Sequence, residues 1–332
     1  MPIVTSSGAY EFGIAKQTNE STVATVATYT VPVFSGRPTA VQTVSRVEVT
    51  DAANIQGDPY KNPDEHWEAD MVFPAFAAPL GRFLQSLWPL DTITGAGPFT
   101  HTFSTLGATA PWVALYDDFT NATLKQTYEA GQCSGMSFSV DENGGPLRIG
   151  FKAVGKKPTV ATYTVTTAAT LADGYFTAQG AVLKFEEDNA TPATHTNIQQ
   201  VAVVVEKPIT PLATADGLFV SNLGITRIVP SFTMQLIWEN WDAYRNTFFG
   251  TVAGTVPVAT YAAGSVELNF VHTVNAGWTF KLTLDKVWMK VTPPTPDPGG
   301  APLILTIEGE ILKPAAGDHV KPVLVNAVTP AY

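Results

Sequence analysis

The sequence predicts a mainly β protein, an antiparallel β-sandwich or barrel flanked by one α-helix at about residues 79–88. Three observations support this fold class. Short segments that alternate apolar and polar residues, rich in Val, Thr, Tyr and Phe, recur along the 332 residues. Gly (26) and Pro (25) separate these segments at short intervals. Only one stretch places many large apolar residues at helical spacing.

The helical stretch lies within residues 66–89, where an expected strand leads directly into the helix. Pro79 suits the first helical turn, where a missing N–H costs nothing, and Pro89 ends the helix. Because the apolar positions recur every three or four residues, we expect one wide face to be buried. That face comprises Phe76, Leu80, Phe83, Leu84, Leu87 and Trp88.

The other elements are predicted mainly as strands and turns. In the first half, strands are expected at residues 26–34, 44–50, 66–73, 98–103, 112–116, 133–140 and 147–154. In the second half, they are expected at residues 159–167, 178–186, 200–205, 225–239, 266–272, 278–291 and 303–312. Asn143-Gly144 predicts a hairpin turn between two of these strands. One or two helical turns are expected at residues 241–249, ending at Gly250.

The two halves of the chain resemble each other weakly. Residues 147–158 (LRIGFKAVGKKP) and 303–314 (LILTIEGEILKP) both run into Lys-Pro, and residues 66–73 and 265–272 are a second candidate pair. The spacings between these segments do not match, so duplication of one β-unit stays an open alternative. The predicted organisation is a first β-unit with the helix, a second β-unit and an extended C-terminal arm, at residues 1–158, 159–312 and 313–332.

Composition and charge exclude some functions and favour others. A net charge of −10 argues against a protein that grips nucleic acid through its phosphates, because such binding needs basic surfaces. Charged residues are only 14% of the chain, which suggests a surface covered in part by another copy. The alternative is a monomer with a Ser/Thr/Ala-rich surface. Cys133 is the only cysteine, and no apolar run is long enough to span a membrane.

Catalytic motifs are absent from the sequence. Asp64, Glu65, His66, Glu68 and Asp70 form the densest ionisable cluster, a hypothetical start for a metal site or carboxylate pair. One His with adjacent acids is not a recognised ligand spacing, so a solvated strand is the better interpretation. Nucleophile-elbow, dinucleotide-binding and phosphate-loop patterns are missing. We therefore predict no enzymatic activity, no cofactor and no metal. Numerous Trp and Tyr residues leave a carbohydrate-binding β-protein as an alternative function.

The order of several motifs resembles that of the tail tube (major tail) proteins of long-tailed, non-contractile bacteriophages. These motifs are GAYEFGIAKQTNE (8–20), a strand and long loop, PLGRFL (79–84), FTHTF (99–103) and YEAGQCSGMSFSV (128–140), followed by a closing strand. The resemblance covers most of the chain. The chain is longer than the basic tube unit of that family, which implies long insertions or two fused units.

The resemblance implies a β-sandwich or barrel of the tail-tube type and a structural function. Copies would form rings that stack into a hollow tail tube through which phage DNA passes without specific binding. Six basic units close one ring, so a duplicated chain would need three copies. Tape-measure and tail-terminator proteins are the further implied partners. The implied location is the virion tail, after assembly in the cytoplasm of the host bacterium.

Candidate site residues follow from this expectation. An acidic lumen would repel DNA phosphates and let the DNA slide. A secure hairpin is the natural element of the inner barrel, so the lumen-facing candidates are Asp141, Glu142 and Arg148. Extended termini and loops could reach neighbouring copies. The inter-subunit candidates on these segments are Tyr10, Phe12, Tyr60, Asp297 and Pro322.

Overall fold

The computed structural model describes residues 10–22, 26–42, 44–50, 55–61, 64–106, 109–119, 125–141, 144–160, 163–186, 192–214, 219–258, 263–294, 303–329 and 332. The predicted class is confirmed, because the described chain is mainly β with few helices. In the first half the strands are β1 (Tyr10–Gln17), β2 (Val26–Pro32), β3 (Ser35–Val41), β4 (Val44–Thr50), β5 (Ile55–Lys61), β6 (His66–Pro74), β7 (Leu90–Thr94), β8 (Phe99–Ser104), β9 (Trp112–Phe119), β10 (Lys125–Val140) and β11 (Arg148–Val160). In the second half they are β12 (Thr164–Ala168), β13 (Phe176–Glu186), β14 (Ala193–Thr194), β15 (Ile198–Glu206), β16 (Ile209–Leu212), β17 (Asn222–Ile225), β18 (Val229–Ile237), β19 (Gly264–His272), β20 (Thr279–Thr292), β21 (Ile304–Ile311) and β22 (Lys321–Asn326).

The described residues contain two α-helices, α1 (Ala77–Leu87) and α2 (Asp242–Phe249), and one 3₁₀ turn at Leu171–Asp173. Helix α1 begins two residues before the predicted start. Helix α2 coincides with the short helical segment expected before Gly250. Gly250 has a φ of 74°, a left-handed conformation that glycine adopts without strain, and its N–H donates to the Asn246 carbonyl at 2.9 Å.

Two sets of six strands share one topology. In unit 1 the neighbouring strands are β1·β9·β10·β11·β6·β3, and in unit 2 they are β13·β19·β20·β21·β18·β15. All of these pairs are antiparallel. Numbered along the chain within each unit, the strands follow the order 1-4-5-6-3-2 in both. The two units are therefore topologically equivalent.

Additional elements occupy equivalent places in the two units. A two-stranded hairpin separates the second and third strands, β4–β5 in unit 1 and β16–β17 in unit 2. A helix follows the third strand, α1 after β6 and α2 after β18. The third strands also share one burial pattern, with Trp67 and Pro230 as the first of four alternating buried positions. Equivalent residues of these strands are thus 163 positions apart (230 − 67).

The structure supports one of the two weak sequence repeats and contradicts the other. Residues 147–158 cover most of β11 and residues 303–314 cover β21, and these two strands hold the same place in the two units. The second predicted pairing is wrong, because residues 66–73 belong to β6, whose equivalent is β18, whereas residues 265–272 belong to β19. Strand β19 is paired with β13 and β20 and is the equivalent of β9.

One long strand joins the two units. Along one edge, β10 pairs first with β9 and then, from Gly135 to Val140, with β15 of unit 2. The result is a continuous eight-stranded sheet in the order β3·β6·β11·β10·β15·β18·β21·β20. A bridge between Pro146 and Thr177 brings β13 back to the start of β11, so that unit 2 encloses an apolar interior. Strand β11 also crosses the boundary predicted after residue 158.

Helix α1 is enclosed by the fold and does not flank it, which corrects the expectation of a helix on the outside. Its six predicted core residues are all at most 2% exposed. Phe83 lies at the centre of an aromatic cluster, with ring centroids 4.4 Å from Phe73 and 5.1 Å from Phe151. Besides β10, the helix contacts β1, β2, β8 and β22, which cover the sides that helical periodicity alone left open.

Residues 313–332 do not form the predicted extended arm. Strand β22 lies between β8 and β20, with antiparallel pairing to both, and Leu324 is fully buried. The Asn326 side-chain amide donates to the Ala77 carbonyl at 2.6 Å, and Tyr332 packs against α1 at Gly81, where no side chain would fit. The segment reads as an arm in the sequence because its prolines suggest an extended chain, but its alternating apolar residues complete the core around α1.

Gly131 and Gly155 form a slot that holds the Trp67 indole, and this slot gives a test of the core. The Trp67 indole N–H donates to the Glu129 carbonyl at 2.7 Å, and a Cβ at Gly155 would overlap the indole ring. We expect Gly155→Ala to lower the free energy of unfolding by about 1–3 kcal/mol, the usual cost of overpacking. Gly145→Ala is the matched control, because a Cβ there meets nothing within 4 Å. Chemical denaturation measures both variants, and equal stabilities would contradict the slot.

Candidate functional site

The two faces of the eight-stranded sheet differ sharply. Residues that stand opposite one another in neighbouring strands project to the same face. Met71, Phe151, Met136, Val205 and Pro230 follow each other from strand to strand and are all buried. The intervening residues project away from the core and form a polar face that extends over both units.

Charge on the polar face is mixed. Apart from Arg37, its charged residues on these eight strands include the acids Glu68, Asp70, Glu206, Glu308 and Glu310 and the bases Arg148, Lys152, Lys156, Lys286 and Lys290. Acids and bases are therefore present in similar numbers. Ser, Thr, Gly and small apolar residues occupy most of the positions between them. This surface carries no basic cluster of the kind that grips phosphates.

A groove of about 720 Å³ crosses the polar face where β3, β6, β11, β10 and β15 lie side by side. Asp70, Lys152, Gly135 and Glu206 follow each other across it. Because Gly135 has no side chain, the Lys152 ammonium and the Glu206 carboxylate approach to 3.5 Å above it. Arg37 at the rim turns instead to Asp117 on β9, at 3.5 Å. The groove is thus lined by charges of both signs, of which Lys152 and Glu206 form an ion pair.

The predicted lumen candidates lie at one border of this face. Arg148 is on β11, opposite Ser139, and its side chain is about half exposed. Its guanidinium binds the Asp141 carboxylate at 2.8 Å. Glu142 lies outside the described residues. The structure therefore brings two of the three candidates together as an ion pair beside the polar face.

Two predicted inter-subunit residues are wrong, because both are internal. Phe12 is fully buried, and its ring centroid lies 6.0 Å from that of Phe83 in α1. Pro322 is buried in β22 between β8 and β20. Alternation in a terminal segment indicates a strand, but it does not reveal whether the strand packs inside its own chain.

The other inter-subunit candidates stay predictions. Tyr10 begins β1 and stands opposite Phe119, while Tyr60 lies in the β4–β5 hairpin opposite Ser45. Asp297 lies outside the described residues. The hairpin that carries Tyr60 pairs with no strand other than its own two in the described chain.

The acidic cluster in front of α1 is spread over a strand surface. His66 contacts the Asp64 carbonyl through Nδ1 at 2.7 Å and the Glu68 carboxylate through Nε2 at 3.3 Å. Asp70 projects to the polar face beside Lys152. Within the described ranges, no three His, Cys, Asp or Glu side chains are grouped so that they could hold a metal ion. The cluster thus offers partial ion pairs and no metal geometry.

A buried His–Asp pair is engaged on both sides. His101 contacts the Asp91 carboxylate through Nδ1 at 3.0 Å and the Val328 carbonyl through Nε2 at 3.0 Å. Both side chains are at most 1% exposed. With a backbone carbonyl on the second nitrogen, the imidazole ties β7, β8 and the segment after β22 together.

An exposed aromatic cluster around α2 was missed by the sequence reasoning. The ring centroids of Trp238 and Trp241 are 4.4 Å apart, and those of Trp241 and Tyr244 are 5.6 Å apart. Trp241 is 50% exposed, and no residue of α2 is buried. A cavity of about 340 Å³ separates α2 from β20 and is lined by Tyr244, Thr247, Phe248, Trp288, Met289, Lys290 and Val291. The spacing of residues 241, 244 and 248 is a helical signal that could have revealed this face.

The single cysteine provides a chemical test of the site assignment. Cys133 is fully buried, and burial raises the pKa of its thiol to about 11. At pH 8 the thiol is therefore protonated, and we expect iodoacetamide to label it far more slowly than a free thiol, with full labelling in denaturant. Rapid labelling of the folded protein would contradict a purely structural thiol.

Comparisons with known proteins do not identify the chain. No helix in the described part of the molecule is long and apolar enough to cross a membrane. No protein-family model matches the sequence, and no curated protein matches it. The surfaces that remain for a functional proposal are the polar face, the ends of the eight-stranded sheet and the aromatic cluster on α2.

Proposed function

We propose that this protein is the structural subunit of a phage tail tube. In this proposal its copies assemble into rings, and the rings stack into a hollow tube through which DNA passes. The observation that carries the proposal is the eight-stranded sheet, which has one apolar face, one polar face and, within the described residues, free edges at β3 and at the part of β20 beyond Val287. The motif order that resembles tail tube proteins supports the same function.

A ring of copies satisfies the needs of such a sheet. Free sheet edges expose unpaired N–H and C=O groups, and cyclic pairing between copies satisfies them without leaving a new edge. Three copies of eight strands give a wall of 24. With strands about 4.8 Å apart and tilted by roughly 40°, such a barrel measures roughly 50 Å between opposite backbones. That width leaves an open channel wide enough for a DNA duplex.

The polar face suits the inside of such a channel. Its mixed charges, among them the Lys152–Glu206 ion pair, give phosphates no strong attachment point. The whole chain carries −10, which adds weak repulsion at longer range. DNA could therefore slide along this wall. Arg148 and Asp141 would lie at its border.

Other features would serve contacts between copies. The β16–β17 hairpin exposes Leu212 and Ile225, each about half exposed, and its equivalent β4–β5 lies between β3 and β6. The β16–β17 hairpin and the aromatic cluster on α2 are apolar surfaces that a neighbouring copy would cover. Tape-measure and tail-terminator proteins are the further proposed partners, and the virion tail, assembled in the host cytoplasm, is the proposed location.

A binding β-protein is the second candidate, favoured by the cavity between α2 and β20. Exposed Trp241, Phe248 and Trp288 offer aromatic surface of the kind that stacks on sugar rings. Tyr244, Thr247 and Lys290 carry polar groups among the lining residues named above. A glycan array screened with the purified protein distinguishes this function from assembly.

Assembly is tested with the purified protein over a range of concentrations. We expect sedimentation and electron microscopy to show rings or tubes that grow with concentration. Trp241→Ser should reduce assembly while leaving the circular dichroism spectrum unchanged, because its side chain is half exposed in the single chain. Val274→Ser is the matched control, since Val274 is 63% exposed but lies in the β19–β20 turn, away from α2.

Three outcomes count against the proposal. Monomers at every concentration, also after coexpression with the tape-measure and terminator proteins, would contradict a tube subunit. Equal assembly of the Trp241→Ser and Val274→Ser variants would remove α2 from the contacts between copies. Glycan binding that Trp241→Ser abolishes, without any assembly of the parent protein, would favour the second candidate.

A further inference from the structure

We propose that neighbouring copies join by antiparallel pairing of β20, over residues 289–292, with residues 39–42 in and after β3 of the next copy. The inference rests on the proposed function and names the surfaces that would close the ring. Its basis is the joint between β10 and β15 inside the chain, which already pairs one unit with the next.

The two free edges are the equivalents of the strands in that joint. Strand β20 holds the place in unit 2 that β10 holds in unit 1, and β3 holds the place of β15. In unit 1, β10 pairs with β9 and then continues along the same edge with β15. In unit 2, β20 pairs with β19 as far as Val287, and no described strand continues along that edge. Strand β3 likewise pairs only with β6 in the described chain.

Backbone directions agree with this assignment. The Leu312 N–H donates to the Lys286 carbonyl at 2.9 Å, so Lys286 faces β21. Because successive residues of a strand direct their N–H and C=O groups to opposite edges, Met289 and Val291 face the free edge. In the internal joint, the Lys207 N–H donates to the Ser134 carbonyl at 2.8 Å, so Met136 faces β15 in the same way.

Equivalent pairs fix the register. Met136 stands opposite Phe151 in unit 1, and Val291 stands opposite Ile307 in unit 2, which makes Val291 the equivalent of Met136. On the other strand, Pro38 stands opposite Ala69, and Val203 stands opposite Phe232, the equivalent of Ala69. Residues of β3 and β15 are therefore 165 positions apart (203 − 38). The internal pair Met136–Val205 then corresponds to Val291 opposite Ala40 of the next copy.

Side chains on the two segments fit this register. Val291 and Ala40 would project to the core side, next to the cavity beside α2. Thr292 would stand opposite Thr39, with both side chains on the exposed face. Pro293 would stand opposite Pro38, immediately beyond the ladder, so neither proline removes a hydrogen bond from it. Helix α2 does not obstruct the free edge of β20. In unit 1 the equivalent helix, α1, contacts β10, and β10 nevertheless pairs with β15.

Paired cysteines test the register directly. The Thr292–Thr39 pair neighbours a hydrogen-bonded pair, so its Cα atoms should lie about 4.5 Å apart, within the range for a disulfide. We expect the double variant Thr39→Cys with Thr292→Cys to form disulfide-linked dimers and trimers on oxidation. Thr39→Cys with Ser231→Cys is the matched control, because Ser231 is also exposed but lies in the middle of the sheet, and it should give no cross-linked trimer.

A proline variant tests the same edge without new cysteines. In the internal joint the Val205 N–H faces β10, so the N–H of its equivalent, Ala40, faces the free edge and not β6. Ala40→Pro should therefore keep the monomer folded and raise the concentration needed for assembly about tenfold or more. Ala40→Ser, which keeps the N–H, should assemble like the parent protein.

The outcomes separate this inference from the proposed function. Rings or tubes that form with no cross-link at residues 39 and 292 and are insensitive to Ala40→Pro would overturn the joint and leave the tube function standing. Failure of the parent protein to assemble under all conditions would overturn the tube function and the joint with it. Cross-linked trimers of the double cysteine variant, together with an assembly defect in Ala40→Pro but not in Ala40→Ser, would support both the joint and the tube function.

Discussion

The backbone groups at a sheet edge must find partners, and the whole molecule depends on how it meets this requirement. Strand β10 uses one edge twice, first for β9 and then for β15, and so extends the sheet of unit 1 into unit 2. Strand β20 pairs with β19 in the same way as β10 pairs with β9, but beyond Val287 no described strand pairs with that edge. In the proposed ring, the edges that remain free in the described residues pair with those of further copies, as β10 and β15 do within the chain.

Packing around α1 explains why the two equivalent units look different. In unit 1, strands from both ends of the chain surround the helix, and Asn326 and Tyr332 hold its first turns. In unit 2, α2 contacts β20 but carries no buried residue, and its aromatic side chains stay exposed. The same topology thus has one covered helix and one uncovered helix. In the proposed ring the uncovered one lies beside the joint to the next copy.

Local patterns carried the sequence predictions, and long-range contacts limited them. Alternation located most strands, the helical spacing before Pro89 located α1, and Gly250 marked the end of α2, because each signal lies within a few residues. The repeat shared by β11 and β21 could be recognised from their amino-acid sequences, whereas β6 and β18 share only an alternating burial pattern. The predictions for Phe12, Pro322 and the segment 313–332 were wrong because their partners, Phe83, β8 and α1, are far away in sequence.

A cryo-EM reconstruction of the assembled protein tests the central claim most directly. We predict a ring of three chains of 35.4 kDa with pseudo-sixfold symmetry. Its 24-stranded wall should direct Glu68, Asp70, Lys152 and Glu308 toward the axis, with β20 of each copy beside β3 of the next. A ring of six chains, or a wall that directs the apolar face or the α2 side toward the axis, would contradict it.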